Sequence, residues 1–179
     1  MNNKKNLYLL VGLPASGKST FLAKMMPMLE NARCISRDDI RFALVAEDEP
    51  YFCREDEVFD CFIDEIRKAI KDYDNIFVDA THISYGSRKK TLRRLNLNDK
   101  VNVIPLVFTT PLEVCIERNS YRVGRRQVPE SAIQNMFKSL TDPFNDKEDI
   151  KKYYTEIRYI NDWGEYQWVR PMKEGSEFE

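Results

Sequence analysis

Residues 12–19 read GLPASGKS, which fits G-x-x-x-x-G-K-S/T and lies between the apolar run NLYLLVG (6–12) and the helix-like stretch FLAKMMPMLE. Few patterns restrict a fold as tightly. A glycine-rich turn that leaves a strand and opens a helix aims successive backbone amides and a helix N-terminus at one anion, so the expected element is a phosphate-cradling loop in an α/β protein. Gly12 and Gly17 permit the tight turn, and Ala15, Ser16 and Thr20 complete the set expected around ATP or another nucleoside triphosphate. Lys18 is expected to reach the β and γ phosphates, and Ser19 to ligate Mg²⁺.

The rest of the chain fits that architecture. Four further apolar runs, ARCIS (32–36), NIFVDAT (75–81), VNVIPLVFTT (101–110) and TEIRYIND (155–162), are separated by helix-sized segments. Such alternation predicts a parallel sheet of about five strands with crossover helices. EVFDCFIDEIRKAI (57–70) repeats its apolar residues at helical spacing, and SAIQNMFKSL does the same after Val128-Pro129-Glu130. Pro27 is expected to end or kink the first helix. QWVRP is a candidate edge strand, and residues 171–179 read as a frayed acidic tail. No repeat or linker divides the sequence, so residues 1–179 are expected to form one domain.

Composition narrows the function classes. A net charge of −1 argues against bulk electrostatic binding to nucleic acid. The four cysteines, Cys34, Cys53, Cys61 and Cys115, have neither C-x-x-C nor metal-site spacing, so reduced thiols and a cytoplasmic location are expected. The N-terminal apolar run is too short for a secretory signal, and no stretch suits a membrane span. Charge is nonetheless uneven: eleven acids against four bases occupy residues 47–74, whereas SRKKTLRR (87–94) and RNSYRVGRR (118–126) contain no acid. Those basic segments read either as sites for an anionic ligand or as solvated helix faces.

The remaining candidates cluster in a few short stretches. In SRDDIRFAL (36–44), Asp38 and Asp39 lie between Arg37 and Arg41, a pattern that reads as an ordinary helix start unless Asp38 has chemistry to do. Asp79 ends a strand where open sheets gather their ligands, or else is a turn carboxylate. Thr81 and His82 follow it as candidate acceptor contacts, although a loop histidine such as this one is more often polar surface. Arg118 and Arg122, four apart, are expected to share a helical face on a basic lid with Gly124 as its hinge. No N-K-x-D is present to read guanine, and Asp79 is followed by Ala80 rather than a second acid. Phosphoryl transfer is therefore favoured over hydrolysis.

Taken in order, GLPASGKST, SRDDIR, VDATHIS, ERNSYR and VPESAIQNMFKSL resemble the 5′-hydroxyl kinase module of phage-type polynucleotide kinases over about residues 6–140. The resemblance implies a P-loop kinase fold that transfers the γ-phosphate of ATP to the 5′-hydroxyl of RNA or DNA. It implies Lys18 and Ser19 in the P-loop, Asp38 as general base, Arg41 on the acceptor's 3′-phosphate, Arg122 on the donor phosphates and Arg118 near the nucleotide base. The family's acid near Asp79 aligns one position later, at Ala80. No D-x-D-G-T occurs, so the phosphatase that accompanies some relatives is not expected. Two other readings stay open: a kinase of a small hydroxylated molecule or nucleotide sugar, and a nucleotide-dependent regulatory module. Homo-oligomerisation is left open as well.

Overall fold

A computed structural model describes residues 4–172. Its sheet has six strands in the order β2-β3-β1-β4-β5-β6, where β1 is Lys5–Val11, β2 Ala32–Ser36, β3 Asn75–Asp79, β4 Val101–Phe108, β5 Glu156–Ile160 and β6 Tyr166–Pro171. The first five run parallel, and β6 returns antiparallel along β5. The sixth strand is the edge strand expected from QWVRP. Pro171 closes it and so is not tail, while residues 173–179 of the expected tail lie outside the described residues.

Burial on both faces explains why the central strands are almost wholly apolar. In β1, Leu7 and Leu9 face a core shared with Phe62, Ile63 and Ile66 of α3 (Glu55–Asp72) and Leu92 of α4 (Tyr85–Leu95). Tyr8 and Leu10 face the other way, onto Phe21 and Leu22 of α1 (Lys18–Met25). The strand alternation thus builds two cores, one per face. α1 ends at Met25, and Pro27 lies within the single 3₁₀ turn that follows, Met26–Met28. No described helix is long and apolar enough to cross a membrane.

Parallel strands place their C-terminal ends, and the loops that leave them, along one edge of the sheet. There β1 leads into the Gly12–Gly17 loop, β2 into α2 (Arg37–Leu44), β3 into residues 80–84, and β4 into α5 (Leu112–Ser120). α6 (Glu130–Lys138) follows α5, and both pack through Ile133 and Cys115 against Leu13 of the loop.

Residues 141–154, including the short α7 (Glu148–Lys151), are tied to α4 by a buried ion pair. Arg88, fully buried, donates to Asp146 at 2.6 and 2.7 Å, and the Tyr154 hydroxyl donates to the same carboxylate at 2.7 Å. Removing one partner leaves the other charge unpaired in the core, at a cost of about 3–5 kcal/mol. Asp146→Ala is expected to lower the unfolding free energy by about that amount. Urea unfolding checks it, and an unchanged midpoint would mean that water reaches Arg88.

Candidate active site

The phosphate loop is fixed by its neighbours. The Gly12 N–H donates to the Thr81 carbonyl at 3.0 Å, and the Thr110 hydroxyl donates to the Ser16 carbonyl at 2.8 Å, so the loops after β3 and β4 grip it from both sides. Gly12 is required by space, because a Cβ there would stand 2.8 Å from Ser16 Oγ and 3.0 Å from Phe108 Cβ. Gly17 is required by conformation: it caps α1 at φ 97°, a region that side chains disfavour. Ala15 also has positive φ, at 62°. Ser19 and Thr20 lie exposed on the first turn of α1. Lys18 folds back over the loop, and its Nζ donates to the carbonyls of Gly12 at 3.0 Å and Leu13 at 2.6 Å.

α2 begins where β2 stops, which carries SRDDIR to the same edge. Ser36 is its N-cap, accepting from the Asp39 amide at 3.2 Å, so Asp38 is not the cap. The Asp38 side chain is 64% exposed, and its Oδ1 accepts from Arg41 Nη1 at 2.5 Å and from the Tyr51 hydroxyl at 3.1 Å. Its Oδ2 has no hydrogen bond among the described residues. Arg41 is only 4% exposed and also donates through Nη2 to Glu55 at 2.5 Å. Glu55 in turn accepts from Arg37 at 3.0 Å. Arg41 was expected on the acceptor's phosphate, yet its fork is largely engaged in holding Asp38. Its Nε is buried without a partner among the described residues, so the guanidinium keeps donor capacity.

Electrostatics link Asp38 to the phosphate loop. Burial pulls Lys18 down to about 8, while the carboxylates of Asp79 and, more weakly, Asp38 pull it back up. Asp79 is itself raised, mainly by burial; Lys18 opposes that rise, and Asp38 and Asp39 reinforce it. Burial likewise lowers Arg122, helped by nearby Arg126 and countered by Asp38. Lys18, Asp79, Asp38 and Arg122 therefore form one field, a cationic pair facing two carboxylates.

The basic segment 118–126 differs from its expected form. α5 stops at Ser120, so Arg118 is helical and Arg122 lies beyond the helix; the two do not share a helical face. Arg118 Nη2 donates to the Asp162 carbonyl at 3.1 Å, and its Nη1 lies 3.9 Å from where a Gly17 Cβ would be. Gly124, at φ 62°, opens a 3₁₀ turn, Gly124–Arg126. Arg125 then reaches α2, donating to the Val45 carbonyl at 3.1 Å with its guanidinium 4.7 Å from the Phe42 ring centroid. One residue that sequence reasoning missed holds this return: buried Asn119 exchanges hydrogen bonds with the Val128 backbone at 2.7 and 3.0 Å. Its only signal was an asparagine beside the arginines.

Two expectations are corrected here. His82 is 3% exposed, with Nδ1 3.2 Å from the Leu10 carbonyl and Nε2 3.2 Å from Thr91 Oγ1, and burial lowers it to about 3. It is a neutral core residue with both nitrogens occupied, not an acceptor contact. Thr81 serves the site through its carbonyl, as described. The bases of SRKKTLRR are largely engaged within the protein instead: Arg88 pairs with Asp146, Lys89 and Arg93 with Asp149, Arg94 with Asp60, and Lys90 lies over the Phe59 ring.

Among the described residues no three His, Cys, Asp or Glu side chains gather to cage a metal. Mg²⁺ beside phosphates does not need such a cage, since one or two protein oxygens supplement phosphate and water. The Ser19 hydroxyl and the half-buried Asp79 carboxylate, coupled to adjacent Lys18, are a donor set of that kind.

Comparison with known proteins places this architecture. No curated protein matches the sequence. Among solved structures, a chain of the Pnkp1/Rnl/Hen1 RNA repair complex superposes with TM-score 0.67 at 22% identity, over 97% of this chain and 51% of that one. The present chain thus spans about half the length of that relative. A fungal RNA kinase superposes with TM-score 0.61 at 14% identity, over 97% of this chain and 78% of the other. A gluconokinase from Sinorhizobium meliloti gives 0.56 at 16% identity, over 89% and 83%. These likenesses identify the fold as that of P-loop kinases. Residues 7–143, well over half of the sequence, match the AAA domain family AAA_33, and the chain belongs to that family.

Proposed function

We propose that the chain is an ATP-dependent kinase that transfers the γ-phosphate to the 5′-hydroxyl of a nucleic acid. The observation that carries this reading is the exposed Asp38 carboxylate, clamped on Oδ1 by Arg41 and Tyr51 and electrostatically coupled to Lys18 of the phosphate loop. A hydrolase needs no such group on an acceptor wall. A kinase needs one carboxylate oxygen to orient the attacking hydroxyl and take its proton, and Oδ2 is the oxygen left for it.

In this reading the loop amides and Lys18 hold the β and γ phosphates, Arg118 flanks the nucleotide beside Gly17, and Arg122 meets the charge on the transferring group. Ser19 and Asp79 would hold Mg²⁺, which would neutralise charge on the phosphate oxygens. Arg41 holds Asp38 and offers its remaining donors to the phosphate on the acceptor's 3′ side. The test is transfer from γ-labelled ATP to a panel of 5′-OH oligonucleotides, nucleoside 3′-monophosphates and sugars. Labelling of the sugars alone would overturn the nucleic-acid assignment.

Arg122 gives a separate prediction. Because its partner is charge that develops during transfer, Arg122→Ala is expected to lower kcat by on the order of 10² with acceptor KM little changed. Steady-state kinetics check it. A change confined to acceptor KM would move Arg122 to the acceptor side.

A further inference from the structure

Beside Asp38 the acceptor wall is aromatic, and the phosphoryl-transfer chemistry does not account for that. Tyr51 and Phe52, between α2 and α3, meet edge to face with ring centroids 4.8 Å apart, and Phe42 of α2 stands edge-on to Tyr51 at 6.3 Å. Cations interleave with the rings. The Arg41 guanidinium lies 4.7 Å from the Tyr51 centroid and 5.5 Å from that of Phe52, and Arg125 of the 3₁₀ turn Gly124–Arg126 covers Phe42 at 4.7 Å. The Phe52 side chain stays in solvent: the residue is 66% exposed. Burial does not explain a phenylalanine held there, one residue from the tyrosine that positions Asp38.

We propose that Phe52 is the platform on which the 5′-terminal base of a single-stranded nucleic acid stacks, so that this wall selects nucleotide acceptors over sugars. The inference rests on the kinase reading above. Its chemistry is that of single-strand binding, where aromatic faces take bases of any sequence and arginines track the backbone. Tyr51 joins the two functions: its hydroxyl orients Asp38 while its ring supports Phe52. A base on Phe52 brings its own 5′ end toward the free oxygen of Asp38. A sugar acceptor would want hydroxyl-bonding polar groups at this place, and the wall offers ring faces and guanidinium planes.

The test compares the full chain with Phe52→Ala and Phe52→Trp on 5′-OH oligonucleotides, RNA and DNA, whose terminal nucleotide carries its base or is abasic. For wild type, kcat/KM is expected to favour the base-bearing end by about 5- to 150-fold, the range of one base–aromatic stack. Phe52→Ala is expected to bring that ratio near one, and Phe52→Trp to restore it. Equal melting temperatures for the three proteins are expected, since an exposed ring contributes little to the core. Retention of the ratio in Phe52→Ala overturns the platform while leaving the kinase reading intact. Failure of wild type to label any oligonucleotide overturns both.

Discussion

Lys18→Ala is expected to reduce phosphoryl transfer by on the order of 10³ while the protein melts within a few degrees of wild type. The Lys18 ammonium touches only loop oxygens, Gly12 O, Leu13 O and Ser16 Oγ, so its loss opens no core cavity. What disappears is the one cation rooted in the loop itself. The shifted lysine adds a pH signature. Burial holds Lys18 near 8 in the free protein, and bound phosphates would raise it, so nucleotide binding above that pH must take up a proton. ATP affinity is then expected to be flat below about pH 8 and to fall above it, by up to about tenfold per pH unit. Calorimetric titration across roughly pH 6.5–9.5, a window centred on the shifted lysine value, measures the slope, which should vanish in Lys18→Ala. Full activity in the alanine variant, or the same slope in both proteins, would sink the phosphate-loop assignment.

The elements that the sequence announced most clearly are those whose period matches their burial. β1 is apolar from Leu7 to Val11 because both faces are covered there, and α3 repeats its apolar residues because one face is. α4 escaped for the opposite reason: its buried face includes Arg88 and Thr91, so SRKKTLRR reads as charge rather than as an amphipathic helix. The acids that pair with it, Asp60, Asp146 and Asp149, come from α3 and from residues far along the chain. Pairing across 34 to 60 positions leaves no local signature. The phosphate loop was legible because its geometry demands glycine at two fixed places. The Asp38 clamp was only half legible. Arg41 lies one helical turn from Asp38 and could be placed on its face, whereas Tyr51 and Glu55 arrive from the next loop and helix, in a stretch that showed only an excess of acid. His82 misled because a lone loop histidine carries no mark of the Leu10 carbonyl and Thr91 hydroxyl that receive it.

Asp38→Asn is expected to leave the fold intact and to lower kcat by on the order of 10² to 10⁴. Ser36 supplies the cap, so α2 does not depend on Asp38 for its start, and an amide oxygen can still accept from Arg41 and Tyr51. Shape and clamp survive. The second carboxylate oxygen is replaced by an NH₂ group, which cannot accept a hydroxyl proton and points a donor at the nucleophile. The loss should therefore fall on kcat, with acceptor KM changed little. Arg41→Lys separates the two tasks assigned to the arginine, since a lysine cannot fork between Asp38 and Glu55. A fall in kcat equal across all acceptors reports a loosened Asp38. An additional rise in KM confined to acceptors with a 3′-phosphate reports a direct contact with that phosphate. Near wild-type turnover by Asp38→Asn would remove Asp38 from the chemistry, and the clamp of Arg41, Tyr51 and Glu55 would then serve only to fasten α2 to α3.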